Sequence, residues 1–196
     1  MATKELLYYI PAGQYGKEGV LSLLEQHPEI KFVSLVGIDL AGNDTDEKIP
    51  MAAFFDDYEA FFEGRAVQTD GSSVVLTNIA TLNNARVDMW GDPSVNWFVD
   101  YNYENIDEAT GLPTGTLRIP AFLMHNYRYV DSRSILKRSC DYVRAELLSL
   151  IKEKGVPGMP HVKADDVVDI VFTSATELEF WVKTPSKTVT KKELSV

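Results

Sequence analysis

The chain has 196 residues, of which 45% are hydrophobic and 24% are charged. This composition can bury a core, so it predicts a globular protein and excludes a disordered one. Asp and Glu total 29 against 19 Lys and Arg, a net charge of -10, which disfavours nucleic acid as a partner because phosphate backbones attract basic surfaces. No apolar run approaches the roughly 20 residues of a membrane span. We therefore expect a cytoplasmic protein without membrane contact, and its one cysteine, Cys140, excludes an internal disulfide.

The first elements predicted along the chain are a short helix, a buried strand and a polar strand. Leucines at helical spacing predict a helix over residues 20–26, which Pro28 ends. Residues 31–40 are apolar on both faces, as expected for an inner strand of a covered sheet. A turn at residues 41–44 then leads into a polar strand ending at Ile49.

An aromatic-rich helix is predicted between Pro50 and Gly64. Aromatic side chains recur there at steps of three and four residues, which is the spacing of one helix face. We interpret them as a core-facing stripe rather than a ligand site. The stripe consists of Phe54, Phe55, Tyr58, Phe61 and Phe62.

Short strands follow the aromatic helix, separated by Gly, Asn, Asp and Pro. One helix packed on such a mixed sheet predicts an α+β arrangement of β-grasp type for residues 1–112. The polar loop at residues 107–115 marks the expected domain boundary. The strands are predicted near Val67 and over residues 74–77, 86–90 and 95–103.

Residues 113–196 contain the longest predicted helix, flanked by strands. A strand over residues 116–124 precedes the helix, which begins near Asp131 and ends at Gly155. Two more strands are predicted over residues 167–172 and 177–182. One helix and a few strands cannot cover both faces and both edges of a sheet. We therefore interpret this region as an incomplete antiparallel-sheet domain. The helix is expected to bury a stripe formed by Ile135, Leu136, Tyr142, Val143, Leu147, Leu150 and Ile151.

Glu177 and Glu179 alternate with apolar residues on the last predicted strand. Their side chains would share one face, with backbones roughly 6.6 Å apart. Two like charges on a buried strand are costly unless cations neutralise them, which favours a site for Mg²⁺ or Mn²⁺. A solvated strand face shows the same alternation, and the pattern alone leaves both interpretations open.

Three further features carry polar chemistry. Asp70-Gly71-Ser72-Ser73 has the composition of an ordinary turn that presents oxygen atoms. Arg133 and Arg138, at the start of the long helix, have the geometry to bind a phosphate or carboxylate, although a surface salt bridge is the simpler expectation for Arg138. His27, before Pro28, is interpreted as a cap or surface residue.

Taken in order, these segments resemble the N-terminal part of glutamine synthetases over about residues 31–182. Each motif is weak by itself, and their common order carries the resemblance. The matching segments are the Asp39–Gly42 turn, Asp70-Gly71-Ser72-Ser73, Val87-Asp88-Met89 with Asp92-Pro93-Ser94, Asp131-Ser132-Arg133-Ser134-Ile135-Leu136-Lys137-Arg138, and Glu177-Leu178-Glu179-Phe180.

The resemblance implies an ATP-dependent ligase that joins ammonium to glutamate through γ-glutamyl phosphate. Glu177 and Glu179 would bind metal, with two or more Mg²⁺ or Mn²⁺ ions stabilising charge during phosphoryl transfer. Asp70 would take a proton from ammonium, and Ser73 would help to shape the site. In the family this loop reaches a neighbouring subunit's active site, which implies a homo-oligomer.

Departures from the family pattern keep alternatives open. Val75 and Leu76 replace the usual Gly and aromatic residues, and Ser132 replaces a proline. The amine could therefore differ from ammonia. The family's remaining ligands lie beyond the Glu-x-Glu strand, so residues 113–196 would be a truncated catalytic domain and the chain alone is expected to be inactive. A non-catalytic interaction or regulatory module is the alternative.

Overall fold

The computed structural model describes residues 5–83, 85–177 and 179. The chain forms two compact units, residues 1–142 and 143–196. The described part of the first unit contains one mixed sheet. Its strands are β1 (Tyr9–Ile10), β2 (Ile30–Ile38), β3 (Asp44–Pro50), β4 (Val67–Asp70), β5 (Arg86–Gly91), β6 (Trp97–Ile106), β7 (Pro113–His125) and β8 (Arg128–Tyr129).

The longest strand, β7, organises the sheet. Its first half lies between β6, which is antiparallel to it, and β2, which is parallel, in the order β1-β6-β7-β2-β3. Beyond Pro120, β7 pairs instead with β5 and β8, and β5 carries β4. Most pairings are antiparallel, so the fold is mixed α/β with a largely antiparallel sheet.

The described part of the first unit contains three α-helices and the beginning of a fourth. They are α1 (Lys17–Glu25), α2 (Met51–Asp56), α3 (Tyr58–Phe62) and the beginning of α4 (Ser132–Lys154). The single helix expected after Pro50 is wrong in one respect, because it is divided at Asp57. The backbone of Asp57 leaves helical geometry at φ -140°, and its side chain caps α3 by accepting the Ala60 amide.

The core lies where the aromatic stripe of α2 and α3 meets the central strands. Phe54 is fully buried and its ring lies 5.0 Å from that of Phe61. The core-facing interpretation of the stripe is thus confirmed. The central strands β2 and β7 contribute residues that have no exposed surface and belong to the hydrophobic core. These are Val33, Leu35, Leu117, Ile119 and Leu123.

The segment after β4 differs from the expectation. Residues 74–77 were predicted to form a strand, but only an isolated bridge joins Leu76 to Ala80. Val74 and Leu76 are buried while Val75 is exposed. Alternating burial therefore arises here in an irregular loop, which explains the wrong prediction.

The two compact units divide after Tyr142, whereas the sequence places a domain boundary between residues 112 and 113. β7 follows that predicted boundary directly, yet it pairs with β2 and β6. This strand belongs to the sheet of the first unit.

The bounds of α4 agree with the predicted helix, but its predicted buried stripe is wrong. Leu136 and Tyr142 are 65% and 67% exposed, and only Ser134 among the helix residues is buried. Periodicity describes an amphipathic face, and burial requires an element packed against it. Neither α4 nor any other described helix is long and apolar enough to span a membrane.

The described part of the second unit contains the end of α4 and a short 3₁₀ turn, Ala164–Asp166. The strand predicted over residues 167–172 is absent there, and Glu177 lies outside any strand. Residue 178 and residues 180–182 of the last predicted strand lie outside the described residues. A strand needs a partner for its backbone groups, and the described part of this unit contains none.

Candidate functional site

The Asp70-Gly71-Ser72-Ser73 segment is a sharp turn at the end of β4. Asp70 is the last strand residue, and its Oδ1 accepts the Ser72 amide at 2.7 Å. Gly71–Ser73 then form a single 3₁₀ turn, which leaves the side chains of Asp70, Ser72 and Ser73 exposed. Hydrogen bonds from Ser72 hold the pKa of Asp70 below its usual range. The turn therefore presents an ionised carboxylate and two hydroxyl groups.

Close packing behind the turn explains its glycine. Gly71 is buried, and its amide donates to the Ala85 carbonyl at 2.6 Å. A Cβ at this position would lie 2.2 Å from the Leu82 carbonyl oxygen, far inside van der Waals contact. The 71–83 loop and the turn thus pack together without space for a side chain. A cavity of about 230 Å³ lies along this loop, but Asp70 and Ser73 do not line it.

A second aspartate anchors the other end of the turn. Asp39 follows β2, is fully buried, and accepts the Val75 amide through Oδ2 at 2.9 Å. The same carboxylate accepts the backbone amides of Ala41 and Asn43 and the side-chain amide of Asn43. The Leu40 amide also donates to the Val75 carbonyl at 3.1 Å. Asp39 therefore joins the β2–β3 turn to the segment that follows Ser73.

The electrostatics of Asp39 fit a structural role. Burial opposes ionisation, but hydrogen bonds from Asn43, Val75 and Ala41 more than offset it and hold the pKa of Asp39 below its usual range. The charge is stabilised by these hydrogen-bond donors. The sequence predicted only a turn at Asp39. The contact with Val75 could not be predicted from a local pattern, because the two residues are 36 positions apart in the sequence.

Glu177 and Glu179, the predicted metal ligands, are both exposed. They belong to residues 143–196, whereas Asp70 and Ser73 belong to residues 1–142. Within the described ranges, no group of three or more His, Cys, Asp and Glu side chains could hold a metal ion. The two glutamates offer oxygen atoms of the type that Mg²⁺ prefers, but fewer than a complete coordination shell requires. Their metal-binding role stays a prediction.

Arg133, one of the two candidate anion-binding arginines, already has a carboxylate partner. Its Nη2 donates to Asp92 Oδ2 at 2.5 Å, and its guanidinium lies 5.0 Å from the centre of the Phe122 ring. The helix start is organised by Asp131, which accepts the Ser134 amide and hydroxyl group. The surface salt bridge expected for Arg138 is absent from the described chain, where Lys137 forms the i,i+4 pair with Asp141 instead.

His27 was interpreted as a cap or surface residue, but it has a more specific contact. Its Nδ1 lies 2.8 Å from Oε1 of Glu29, which has no exposed surface. A histidine two residues before an acidic residue is too common a pattern to have revealed this pair. The buried position of Glu29, at the entry to β2, is decided by the sheet.

No protein-family model matches the sequence, and no curated protein matches it. Several solved structures are similar in fold to part of the chain, including the following two. One is a cryo-EM structure of Plasmodium falciparum glutamine synthetase, at a TM-score of 0.45 and 15% identity over 70% of this chain and 24% of that one. The other is a GmaS/ADP complex, at a TM-score of 0.33 and 14% identity over 56% of this chain and 21% of that one. The chain thus spans about a quarter of the length of the glutamine synthetase that it resembles.

Proposed function

We propose that the chain supplies the N-terminal part of a glutamine synthetase-type ligase, which joins ammonium to glutamate through γ-glutamyl phosphate at the expense of ATP. In this proposal the first unit contains a β-grasp domain, and the protein is a cytoplasmic homo-oligomer with active sites at subunit interfaces. The observation that carries the proposal is the exposed, ionised carboxylate of Asp70 on a firmly anchored turn. The role proposed for this carboxylate, acceptance of a proton from ammonium, follows from the position of its segment in the order of motifs that resembles the family.

The geometry of Asp70 suggests how the site is completed. An exposed carboxylate with a lowered pKa attracts a cation such as ammonium, but it is a weak base near neutral pH. Burial against a neighbouring subunit would raise the pKa, because desolvation disfavours the charged form. We therefore expect Asp70 to bind ammonium first and to become an effective proton acceptor in the assembled enzyme.

Ser73 and the glutamate pair have supporting roles in the proposal. The exposed hydroxyl group of Ser73 lies on the same turn as Asp70 and is available to orient the amine. Glu177 and Glu179 would hold Mg²⁺ or Mn²⁺, which supplies charge stabilisation when the γ-phosphoryl group of ATP moves to the glutamate carboxylate. These residues alone would give no ligase turnover, because two carboxylates leave most of a metal's coordination shell open.

The test uses the complete protein that contains this chain. Asp70→Asn removes the proton acceptor while keeping the shape of the side chain, so glutamine formation should decrease by a factor of about 10² to 10⁴. Glu177→Ala should also lower turnover by removing a metal ligand. Asp44→Asn is the matched control, because Asp44 is also an exposed strand aspartate. The oligomeric state of each variant is measured by light scattering.

Unchanged glutamine formation in the Asp70→Asn and Glu177→Ala variants would reject the catalytic and metal-binding roles proposed for these residues, and it would favour a non-catalytic module. If wild type shows turnover with an amine other than ammonia, and the same variants lose that turnover, the proposed ligase reaction stands and only the identity of the amine changes. Either outcome is interpreted only for variants that keep the oligomeric state of wild type.

A further inference from the structure

A cavity of about 600 Å³ lies beside the first turns of α4. It contains none of the residues assigned to the proposed ligase site. Basic and aromatic side chains dominate its lining, although the whole chain carries a net charge of -10. The residues that matter here are Phe122, Tyr129, Arg133, Lys137 and Arg138.

One cation of the cavity is fixed in position. Arg133 is held on one side by the Asp92 carboxylate at 2.5 Å and on the other by the Phe122 ring at 5.0 Å. Asp92 also accepts the amide and hydroxyl group of Ser94. The second terminal nitrogen of Arg133, Nη1, is buried without a hydrogen-bond partner in the structure. The guanidinium is therefore preorganised and retains an unused donor.

The other two cations are available to a ligand. Lys137 and Arg138 follow Arg133 by four and five residues, so one side of the helix carries all three. Lys137 contacts Asp141 at 2.6 Å, but both side chains are more than half exposed, and such pairs exchange readily with another anion. Arg138 has no acidic partner within the described chain. Asp92 is the one acidic residue in the lining, and Arg133 already neutralises it.

We propose that this cavity binds a phosphate group carried by a small molecule with an apolar or aromatic part. Arg138 and Lys137 supply charge and donors for the phosphate oxygens, and Arg133 extends the same basic surface. Phe122 and Tyr129 form an aromatic wall, with their rings 5.4 Å apart. The cavity is much larger than a phosphate ion, so the wall accommodates the remainder of the ligand.

The test is calorimetric titration of the 196-residue chain with phenyl phosphate, inorganic phosphate and benzoate. Phenyl phosphate should bind most tightly, because it uses both the cations and the aromatic wall. Benzoate carries a single negative charge on the same ring and should bind more weakly. Arg138→Gln should weaken phenyl phosphate binding about tenfold or more, as expected for loss of a charge-assisted contact.

Lys152→Gln is the matched control. Lys152 lies in the last turn of α4, outside the cavity, so its replacement removes the same charge without changing the site. Arg138 is exposed, and its variant should fold normally, which thermal unfolding verifies. Tyr129→Ala tests the wall and should remove the preference for phenyl phosphate over phosphate.

Three outcomes would overturn the proposal. The first is absence of phenyl phosphate binding in the millimolar range by the folded wild-type chain. The second is equal weakening by Arg138→Gln and Lys152→Gln, which would show diffuse attraction to a basic helix. The third is binding of benzoate as strong as that of phenyl phosphate, which would show that a phosphate group is not what the cavity recognises.

Discussion

Asp39 and Asp70 occupy comparable positions at the ends of strands, but their surroundings differ completely. Asp39 is fully buried and accepts four hydrogen bonds from Ala41, Asn43 and Val75. Asp70 is exposed, and its hydrogen-bond donor is the neighbouring residue Ser72. The pKa of each carboxyl lies below its usual range.

The difference separates a carboxylate that holds the fold from one that is available to a ligand. Each donor bonded to Asp39 would lose its partner if the carboxylate were removed. Asp70 has spare lone pairs and access to solvent. Asp39 anchors Val75, which follows the Asp70 turn closely, so the buried aspartate helps to position the exposed one.

Replacing Asp39 should have the largest effect on stability. Asp39→Ala leaves the Val75 amide and the Asn43 side chain without their acceptor in a buried place, so unfolding free energy should decrease by about 3 kcal/mol. Urea unfolding of the 196-residue chain measures the change. Asp70→Ala is the comparison variant, and equal losses in the two variants would contradict the assigned roles.

Gly71→Ala tests the packing behind the exposed turn. The new methyl group would lie 2.2 Å from the Leu82 carbonyl oxygen, so the loop must shift, at a cost of about 1–3 kcal/mol. Gly19→Ala in α1 is the matched control, because its methyl group meets only the Tyr15 side chain, at 3.3 Å or more. Alanine also favours helix there. Thermal unfolding should show a loss for Gly71→Ala alone.

Acid should remove the contribution of Asp39. Its folded pKa is lowered, so the stabilisation is complete above the unfolded value of about 4 and is lost as pH decreases through the folded value. The stability difference between wild type and Asp39→Asn should therefore shrink below about pH 4. Urea unfolding at a series of pH values measures it. A difference that is constant with pH would show that the charge of Asp39 is unimportant.

Asp70→Asn should have the smallest effect on the fold. Asparagine can accept the Ser72 amide with its side-chain oxygen, and the exposed position involves no desolvation. The melting temperature of the Asp70→Asn variant of the 196-residue chain should equal that of wild type within replicate scatter. A large decrease would make Asp70 a structural residue and weaken its assignment as the functional carboxylate.

Local patterns were sufficient to predict several elements. The apolar run of β2, the aromatic spacing of α2 and α3, and the caps of α4 each carry enough information to place an element. Local patterns also misled. Alternating residues at 74–77 resemble a strand, and the apolar stripe of α4 resembles a buried face, because periodicity does not reveal whether a partner is packed against it.

The sequence by itself determined where charge, turns and apolar faces occur, including the turn that carries Asp70 and the three basic residues that begin α4. Only the tertiary structure decided which carboxylates are buried and what they bind. Asp39 accepts a hydrogen bond from Val75, 36 positions away in the sequence, and Asp92 accepts one from Arg133, 41 positions away. Such contacts depend on which strands are neighbours in the sheet, because pairing across it brings distant segments within hydrogen-bond reach.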